Sequence, residues 1–131
     1  MSMKVIDSKL SVSYTYSQDG VILLRKFHEE LTMEMMIESW KGIIDNDMIS
    51  SNVRGVVSDF SQCNINIGLR DLKQFFVFIE NNKGFFGKIK IAEVIDSPKI
   101  ALPMIFKGRY GLSQLEVFST KEKAIEWIYS F

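Results

Sequence analysis

Three acidic residues stand at the ends of apolar runs that are typical of parallel strands. Asp59 ends the run that begins at Arg54, and Asp96 ends a later run that contains Glu93. Ligands of open α/β sheets bind outside the carboxyl ends of the strands, so three acids at one rim could hold a cation. A hard cation needs several oxygen ligands, and the sequence contains no second spaced acidic motif. We therefore predict capping roles for Asp59 and Asp96, and no metal site.

The single cysteine and the single histidine are the candidates for nucleophilic catalysis. Cys63 precedes a predicted helix start, where the helix dipole favours a thiolate, and His28 is the one available imidazole. Such a pair must be adjacent in space, and the sequence gives no reason to place the two together. We predict a buried thiol, a surface histidine, no catalytic residue and no enzymatic activity. The glycines match no phosphate-binding or dinucleotide-binding pattern, so no cofactor is predicted.

Composition and charge exclude several classes of protein. The 131 residues are 47% hydrophobic and 24% charged, which is typical of one folded domain over residues 1–131, with any flexibility at residues 1–9. Its 16 basic and 16 acidic residues balance, and the basic ones are scattered, so we predict no nucleic-acid partner. Residues 1–10 lack the apolar core of a signal peptide, and no apolar run reaches the roughly 20 residues of a membrane span. We expect a cytoplasmic protein.

Hydrophobic periodicity predicts the elements that position these residues. Alternating patterns at 10–16 and 21–27 flank a Gln-Asp-Gly turn and indicate an antiparallel hairpin. Thr32 caps a predicted amphipathic helix, and a second helix is predicted over 69–80, with Leu69 on its inward side. Further strands are predicted at 54–60, 89–95 and 115–118. A third helix is predicted to begin near Leu102, and a last helix after a capping box at 119–122.

Three stretches resemble the STAS/SpoIIAA-like family. They are Val-Val-Ser-Asp-Phe-Ser at 56–61, the Lys-Ile-Ala strand that closes on Asp-Ser-Pro at 96–98, and the segment from Val117 to Ile128. These proteins are small bacterial relatives of anti-sigma factor antagonists, grouped by fold with Sec14-type lipid carriers. The resemblance covers residues 10 to 130. It implies an α/β, SpoIIAA-like fold: a mixed, mostly parallel β-sheet with an N-terminal hairpin, covered by about four helices.

The loop that carries the switch in signalling members of this family differs here. In those members an Asp-Ser-Ser-Gly motif follows the central strand, and a partner kinase phosphorylates one of its serines. The matching loop reads Asn-Ile-Asn-Ile-Gly at 64–68, without a serine. We therefore predict that the phosphoserine switch is absent. Ser58 and Ser61 lie earlier in the chain, and we interpret them as ordinary polar residues at the end of a strand.

Two hypotheses about function follow. The leading one is a non-enzymatic STAS-like interaction or regulatory domain that binds a protein partner or itself. Its candidate partner loop comprises Ser61, Gln62, Asn64, Asn66 and Gly68. Its candidate interface comprises Val77, Phe78 and Phe85, because clustered apolar groups on a surface mark partner sites.

The alternative hypothesis is a carrier or sensor of a small apolar or lipid-like ligand. Its pocket would lie beside the predicted third helix and would be lined by Leu102, Ile105, Phe106 and Tyr110. The two hypotheses differ in one structural expectation. The carrier requires a concave cavity, whereas the interaction domain requires a filled core and a flat exposed patch.

Overall fold

The chain contains both strands and helices in a computed structural model, which describes residues 4–7, 11–95 and 114–130. The strands are β1 (Lys4–Asp7), β2 (Val12–Tyr16), β3 (Ile22–Phe27), β4 (Glu29–Thr32), β5 (Gly55–Asp59), β6 (Cys63–Asn66), β7 (Lys90–Val94) and β8 (Leu115–Phe118). The helices are α1 (Met33–Asp45), α2 (Leu72–Asn81), α3 (Lys83–Phe86) and α4 (Lys121–Tyr129), with a 3-10 turn at Leu69–Asp71 before α2. The helix predicted near Leu102 lies outside the described residues.

The main sheet has six strands in the order β1-β2-β3-β5-β7-β8. The predicted hairpin is β2 and β3, paired antiparallel with Val12 opposite Phe27. Strands β3, β5, β7 and β8 are parallel, and β5 is buried along its whole length between β3 and β7. The predicted fold class, a mixed and mostly parallel sheet with an N-terminal hairpin and helical cover, is confirmed.

The structure also contains a second, two-stranded sheet, which is not hydrogen-bonded to the first. Strands β4 and β6 pair in parallel, with Glu29 opposite Cys63 and Thr32 opposite Asn66. From the sequence, the region around β6 was predicted to be a loop, and no strand was predicted at β4. It also assigned no strand to residues 4–7, which pair with β2 as β1. Much of the predicted partner loop is therefore held in a fixed extended conformation.

Helix α1 covers one face of the main sheet. The Oγ1 atom of Thr32 accepts a 3.3 Å hydrogen bond from the backbone N–H of Met35, which is the N-cap predicted from the sequence. Residues at helical spacing, including Met36, Ile37 and Trp40, are buried against the sheet. The same larger core contains Leu72 and Ile79 of α2 and Phe86 of α3.

Helix α4 covers the opposite face of the sheet. Ala124 and Ile128 of this helix are fully buried against a smaller apolar cluster, whose strand residues are Ile22, Val57, Ala92 and Val94. Helix and sheet lie close together at Gly55, where an added Cβ would lie 2.9 Å from the Lys90 carbonyl oxygen and 3.0 Å from the Ile128 Cδ1 atom. Gly55 is required here for its lack of a side chain.

Candidate functional site

The predicted partner loop presents a row of polar side chains. Gln62, Asn64 and Asn66 are exposed, whereas Cys63 between them is buried. This alternation follows from the period of two along β6. Asn66 Nδ2 donates a 3.4 Å hydrogen bond to a carboxylate oxygen of Glu30 on the neighbouring strand β4. The three amide side chains therefore share one outward face of the small sheet.

Ser61 and Gly68 lie at the two ends of this row. The Oδ1 atom of Asp59 accepts hydrogen bonds from the Ser61 N–H at 2.9 Å and from its hydroxyl at 2.6 Å. The N–H of Gly68 donates a 2.8 Å hydrogen bond to the Asp71 carboxylate. Each end of the row is thus fixed by a carboxylate that caps a turn.

Two large apolar side chains are exposed in the segment that follows the row. Leu69, in the turn after β6, is 68% exposed, and Val77 on α2 is 50% exposed. The prediction that Leu69 faces the core is wrong, because the 3-10 turn places it ahead of the inward stripe of α2. We call Gln62, Asn64, Asn66, Leu69 and Val77 the β6–α2 surface.

The other two residues of the predicted interface are partly inside the protein. Phe78 and Phe85 are half-buried and pack against the larger core. The ring of Phe78 lies 6.0 Å from that of Phe86, and the ring of Phe85 lies 6.1 Å from that of Trp40. The candidate pocket residues Leu102, Ile105, Phe106 and Tyr110 lie outside the described residues.

The acidic residues do not converge. Ser58 pairs with Glu93 and Asp59 pairs with Val94, so Asp59 and Glu93 point to opposite faces of the sheet. Asp96 lies outside the described residues. Within the described ranges, no group of three His, Cys, Asp or Glu side chains is placed to hold a metal ion.

Cys63 and His28 have separate partners. The Cys63 thiol is buried and donates a 3.4 Å hydrogen bond to the Phe60 carbonyl oxygen. A ring nitrogen of the exposed His28 lies 3.1 Å from the hydroxyl of Ser13. The β4–β6 pairing brings the two backbones close, yet each side chain makes its own contacts.

A row of buried polar residues crosses the main sheet on the face that α1 covers. Tyr14 pairs with Arg25, Arg25 with Ser58, and Ser58 with Glu93, so four neighbouring strands contribute one residue each. Arg25 and Ser58 are fully buried, and Tyr14 and Glu93 are 5% and 8% exposed. The row joins α1 through Ser39, whose hydroxyl lies 2.9 Å from that of Tyr14. We call these residues the polar row.

Arg25 makes the central contacts of the polar row. Its Nε donates to the Ser58 hydroxyl at 2.7 Å and one terminal nitrogen donates to the Ser39 hydroxyl at 2.9 Å. The guanidinium carbon lies 4.0 Å from the ring centroid of Trp40 and 4.9 Å from that of Phe27, which are favourable distances for cation–π attraction. Burial lowers the pKa of Arg25 to about 10, so the guanidinium is charged at neutral pH.

Glu93 has an unusual environment for a carboxyl group. Burial raises its pKa to about 7, and the positive charge of Arg25 opposes that rise. From the sequence, Glu93 is recognisable only as an acid near a strand end, and Tyr14, Arg25 and Ser39 were not predicted as site residues.

A signal for Arg25 was present in the sequence. The alternation of β3 places Leu23, Arg25 and Phe27 on one face. Such a strand face meets the core. A basic residue between two apolar ones on it is therefore expected to be a buried cation. The hydrogen-bond partners of Arg25 could not be predicted from the sequence. Ser58 comes next to Arg25 only through the parallel pairing of β3 with β5, and Ser39 only through the packing of α1.

Known structures resemble this fold. An uncharacterised DUF3478 family protein with a SpoIIAA-like fold from Shewanella loihica PV-4 superposes with a TM-score of 0.58 at 14% identity, covering 97% of this chain and 93% of that one. The anti-sigma factor antagonist SpoIIAA in its unphosphorylated form gives a TM-score of 0.48 at 11% identity over the full length of both chains. No protein-family model matches the sequence, and no curated protein matches it significantly.

The fold expected from the resemblance is therefore shown: this chain is an α/β domain with a SpoIIAA-like fold. At such low identity the likeness defines the architecture alone. Among the helices that the structure describes, none is both long enough and apolar enough to cross a bilayer.

Proposed function

We propose that this protein is a non-enzymatic regulatory domain of the cytoplasm that binds a protein partner, or a second copy of itself, through the β6–α2 surface. The observation that carries the proposal is the exposure of Leu69 and Val77, at 68% and 50%, in the segment that follows an exposed row of amides. Exposed apolar side chains surrounded by polar ones that can hydrogen-bond form the usual composition of a protein interface. The SpoIIAA of known structure is named an anti-sigma factor antagonist, and the proposal assigns a regulatory role of that kind to this chain.

The proposed regulation does not use a phosphoserine switch. Ser58 is fully buried, and its hydroxyl accepts a hydrogen bond from Arg25, so a kinase could not reach it without unfolding the central strand. Ser61 is partly buried and hydrogen-bonded to Asp59. The loop at 64–68 carries amides where a signalling relative carries serines. Binding through the β6–α2 surface is therefore proposed to be constitutive.

The test is quantitative affinity capture from an extract of the source organism, combined with sedimentation velocity of the purified protein. The double variant Leu69→Asp, Val77→Asp places a charge at each exposed apolar position of the surface, and a charge buried in an interface is costly. We expect proteins captured by the wild type, or its self-association, to be lost at least tenfold. Phe78→Asp is a poorer probe, because Phe78 also packs against the core.

The matched control is Tyr129→Ser, which removes an exposed large apolar side chain from α4. It should leave capture and sedimentation unchanged. Equal capture and equal sedimentation for the wild type and the double variant, with both folded by circular dichroism, would contradict the proposal.

The carrier hypothesis stays a prediction, since its pocket residues lie outside the described part of the chain. Native mass spectrometry separates it from the proposed function. An extra mass that is lost on denaturation would favour the carrier, and a clean dimer would favour the interaction domain.

A further inference from the structure

The outer face of helix α2 carries a symmetric arrangement of exposed side chains. Val77 lies at its centre and is 50% exposed. Lys73 and Gln74 precede Val77 by one turn, Glu80 and Asn81 follow it by one turn, and all four are exposed. Residues two turns apart lie on the same side of a helix with about 3.6 residues per turn. Lys73 and Glu80 therefore flank Val77 on one side, and Gln74 and Asn81 flank it on the other.

The two charges on this face are placed against the dipole of α2. Lys73 lies in the first turn of the helix and Glu80 in the last turn, whereas acids at the start and bases at the end would stabilise a helix. Neither side chain forms an ion pair with another of the described residues. The two charges thus do not stabilise the helix that carries them. Residues that break a local rule without a compensating contact are expected at functional positions.

A twofold axis at Val77 would give both charges a partner. Dimers of identical chains are most often twofold symmetric, so that one surface patch meets its own copy. An axis perpendicular to α2 makes the two copies of the helix antiparallel. At a rise of about 1.5 Å per residue, Lys73 lies about 6 Å before Val77 and Glu80 about 4.5 Å after it. Because both lie on the same side of the helix, Lys73 of one copy comes opposite Glu80 of the other, and Gln74 comes opposite Asn81.

We propose that the β6–α2 surface binds a second copy of this chain, with the outer faces of α2 packed antiparallel across a twofold axis at Val77. This inference rests on the proposed function and names the partner. Two Lys73–Glu80 ion pairs and two Gln74–Asn81 contacts surround the paired Val77 side chains, which gives an apolar centre and a polar rim. An interface centred on one short helix is small, so the dimer is weak and exchanges with the monomer.

The test is sedimentation equilibrium of the purified full chain at concentrations between about 1 μM and about 1 mM. The average mass of the wild type should rise from that of one chain towards that of two as the concentration increases. High salt should shift the equilibrium towards the monomer, because salt screens exposed ion pairs.

Charge reversal tests the pairing of Lys73 with Glu80. Lys73→Glu and Glu80→Lys each place like charges opposite each other twice, so each should weaken the dimer about tenfold. Both changes agree with the helix dipole, so neither variant should unfold at a lower temperature than the wild type. Lost association is thereby distinguished from lost folding. The double variant Lys73→Glu, Glu80→Lys restores both pairs and should dimerise like the wild type, as should an equimolar mixture of the two single variants.

The matched control is Lys121→Glu, which makes the same change at an exposed position in the first turn of α4 and should leave the dimer unchanged. A wild type that stays monomeric at every concentration would overturn the inference, as would single variants that associate like the wild type or a double variant that stays as weak as the single ones. Capture of other proteins by such a monomer, if it still depended on Leu69 and Val77, would leave the proposed function standing with a different protein as the partner.

Discussion

Arg25 and Ser58 face each other across parallel strands β3 and β5, and the Arg25 Nε donates a 2.7 Å hydrogen bond to the Ser58 hydroxyl in the centre of the core. Both side chains are fully buried. The guanidinium is charged and in contact with aromatic rings, so this bond is charge-assisted and shielded from water. It makes Ser58 a structural partner of Arg25.

Replacing Ser58 with alanine should destabilise the protein. The change removes the acceptor of a buried charged donor, and we expect the free energy of unfolding to fall by about 1–3 kcal/mol in urea titrations. Ser50→Ala, at an exposed position, is the matched control and should change it by less than about 0.5 kcal/mol. Equal effects of the two substitutions would show that the Arg25 contact adds no stability.

Gly55 and Gly42 should respond to alanine in opposite directions. An added Cβ at Gly55 would lie 2.9 Å from the backbone oxygen of Lys90, so Gly55→Ala should lower the free energy of unfolding by about 1–3 kcal/mol. Gly42 lies inside α1 with no atom within 4 Å of an added Cβ, so Gly42→Ala should raise it by about 0.5–1 kcal/mol. Thermal denaturation of both variants checks the signs, and a stabilised Gly55→Ala protein would refute the close approach of α4.

Glu93 should make the protein less stable as the pH rises. Its pKa is about 7 when folded and 4.5 as a free side chain, so between these values the folded state binds more protons than the unfolded state. The free energy of unfolding should therefore fall by about 3 kcal/mol from pH 4.5 to above pH 7. Denaturant titrations of wild type and Glu93→Gln at pH 5 and pH 8 isolate this effect. The variant should be the more stable protein at pH 8, and parallel pH profiles would exclude the effect.

Asp19 should titrate at an unusually low pH. Its carboxylate accepts hydrogen bonds from Ser17, from Tyr129 at the end of α4 and from the Val21 N–H, and these lower its pKa to about 2. Because the folded pKa lies below the unfolded one, the stabilisation is complete above about pH 4 and is lost as the pH falls towards 2. Carboxyl NMR should show the pKa of Asp19 rising more in Ser17→Ala than in Tyr129→Phe. An unchanged titration in both variants would contradict these contacts.

Local patterns predicted most of the main sheet. The alternation in β2 and β3, with a turn in which Gly20 has a φ of 74°, was sufficient to identify the hairpin. Strands β4 and β6 were missed because each has only four residues and their pairing joins distant parts of the chain. The positions of helix ends were predicted less accurately than the strands of the main sheet. The helix predicted over 69–80 begins at Leu72, after a 3-10 turn, and Thr120 caps α4 by accepting from the Lys123 N–H, so Glu122 is too early to complete the predicted capping box.

The two candidate sites also differ in how much of each could be predicted from the sequence. Exposure of the amides followed from the period of β6 once that strand was known. The polar row, by contrast, depends on the order of the strands in the sheet. A sequence shows that Arg25 has an apolar strand around it, but the register that places Ser58 between Arg25 and Glu93 is a tertiary property.

Helix α4 covers one face of the sheet, and its position late in the sequence affects how the chain folds during synthesis. Helix α4 follows every strand of that sheet in the sequence, so the ribosome synthesises Ala124 and Ile128 after the apolar face they cover. Until then no helix of the described residues covers Val57, Ala92 and Val94. Exposed apolar strands in a nascent chain favour aggregation and recruit chaperones. The nascent protein should therefore remain dependent on chaperones until α4 has emerged, even though the opposite face can already pack against α1.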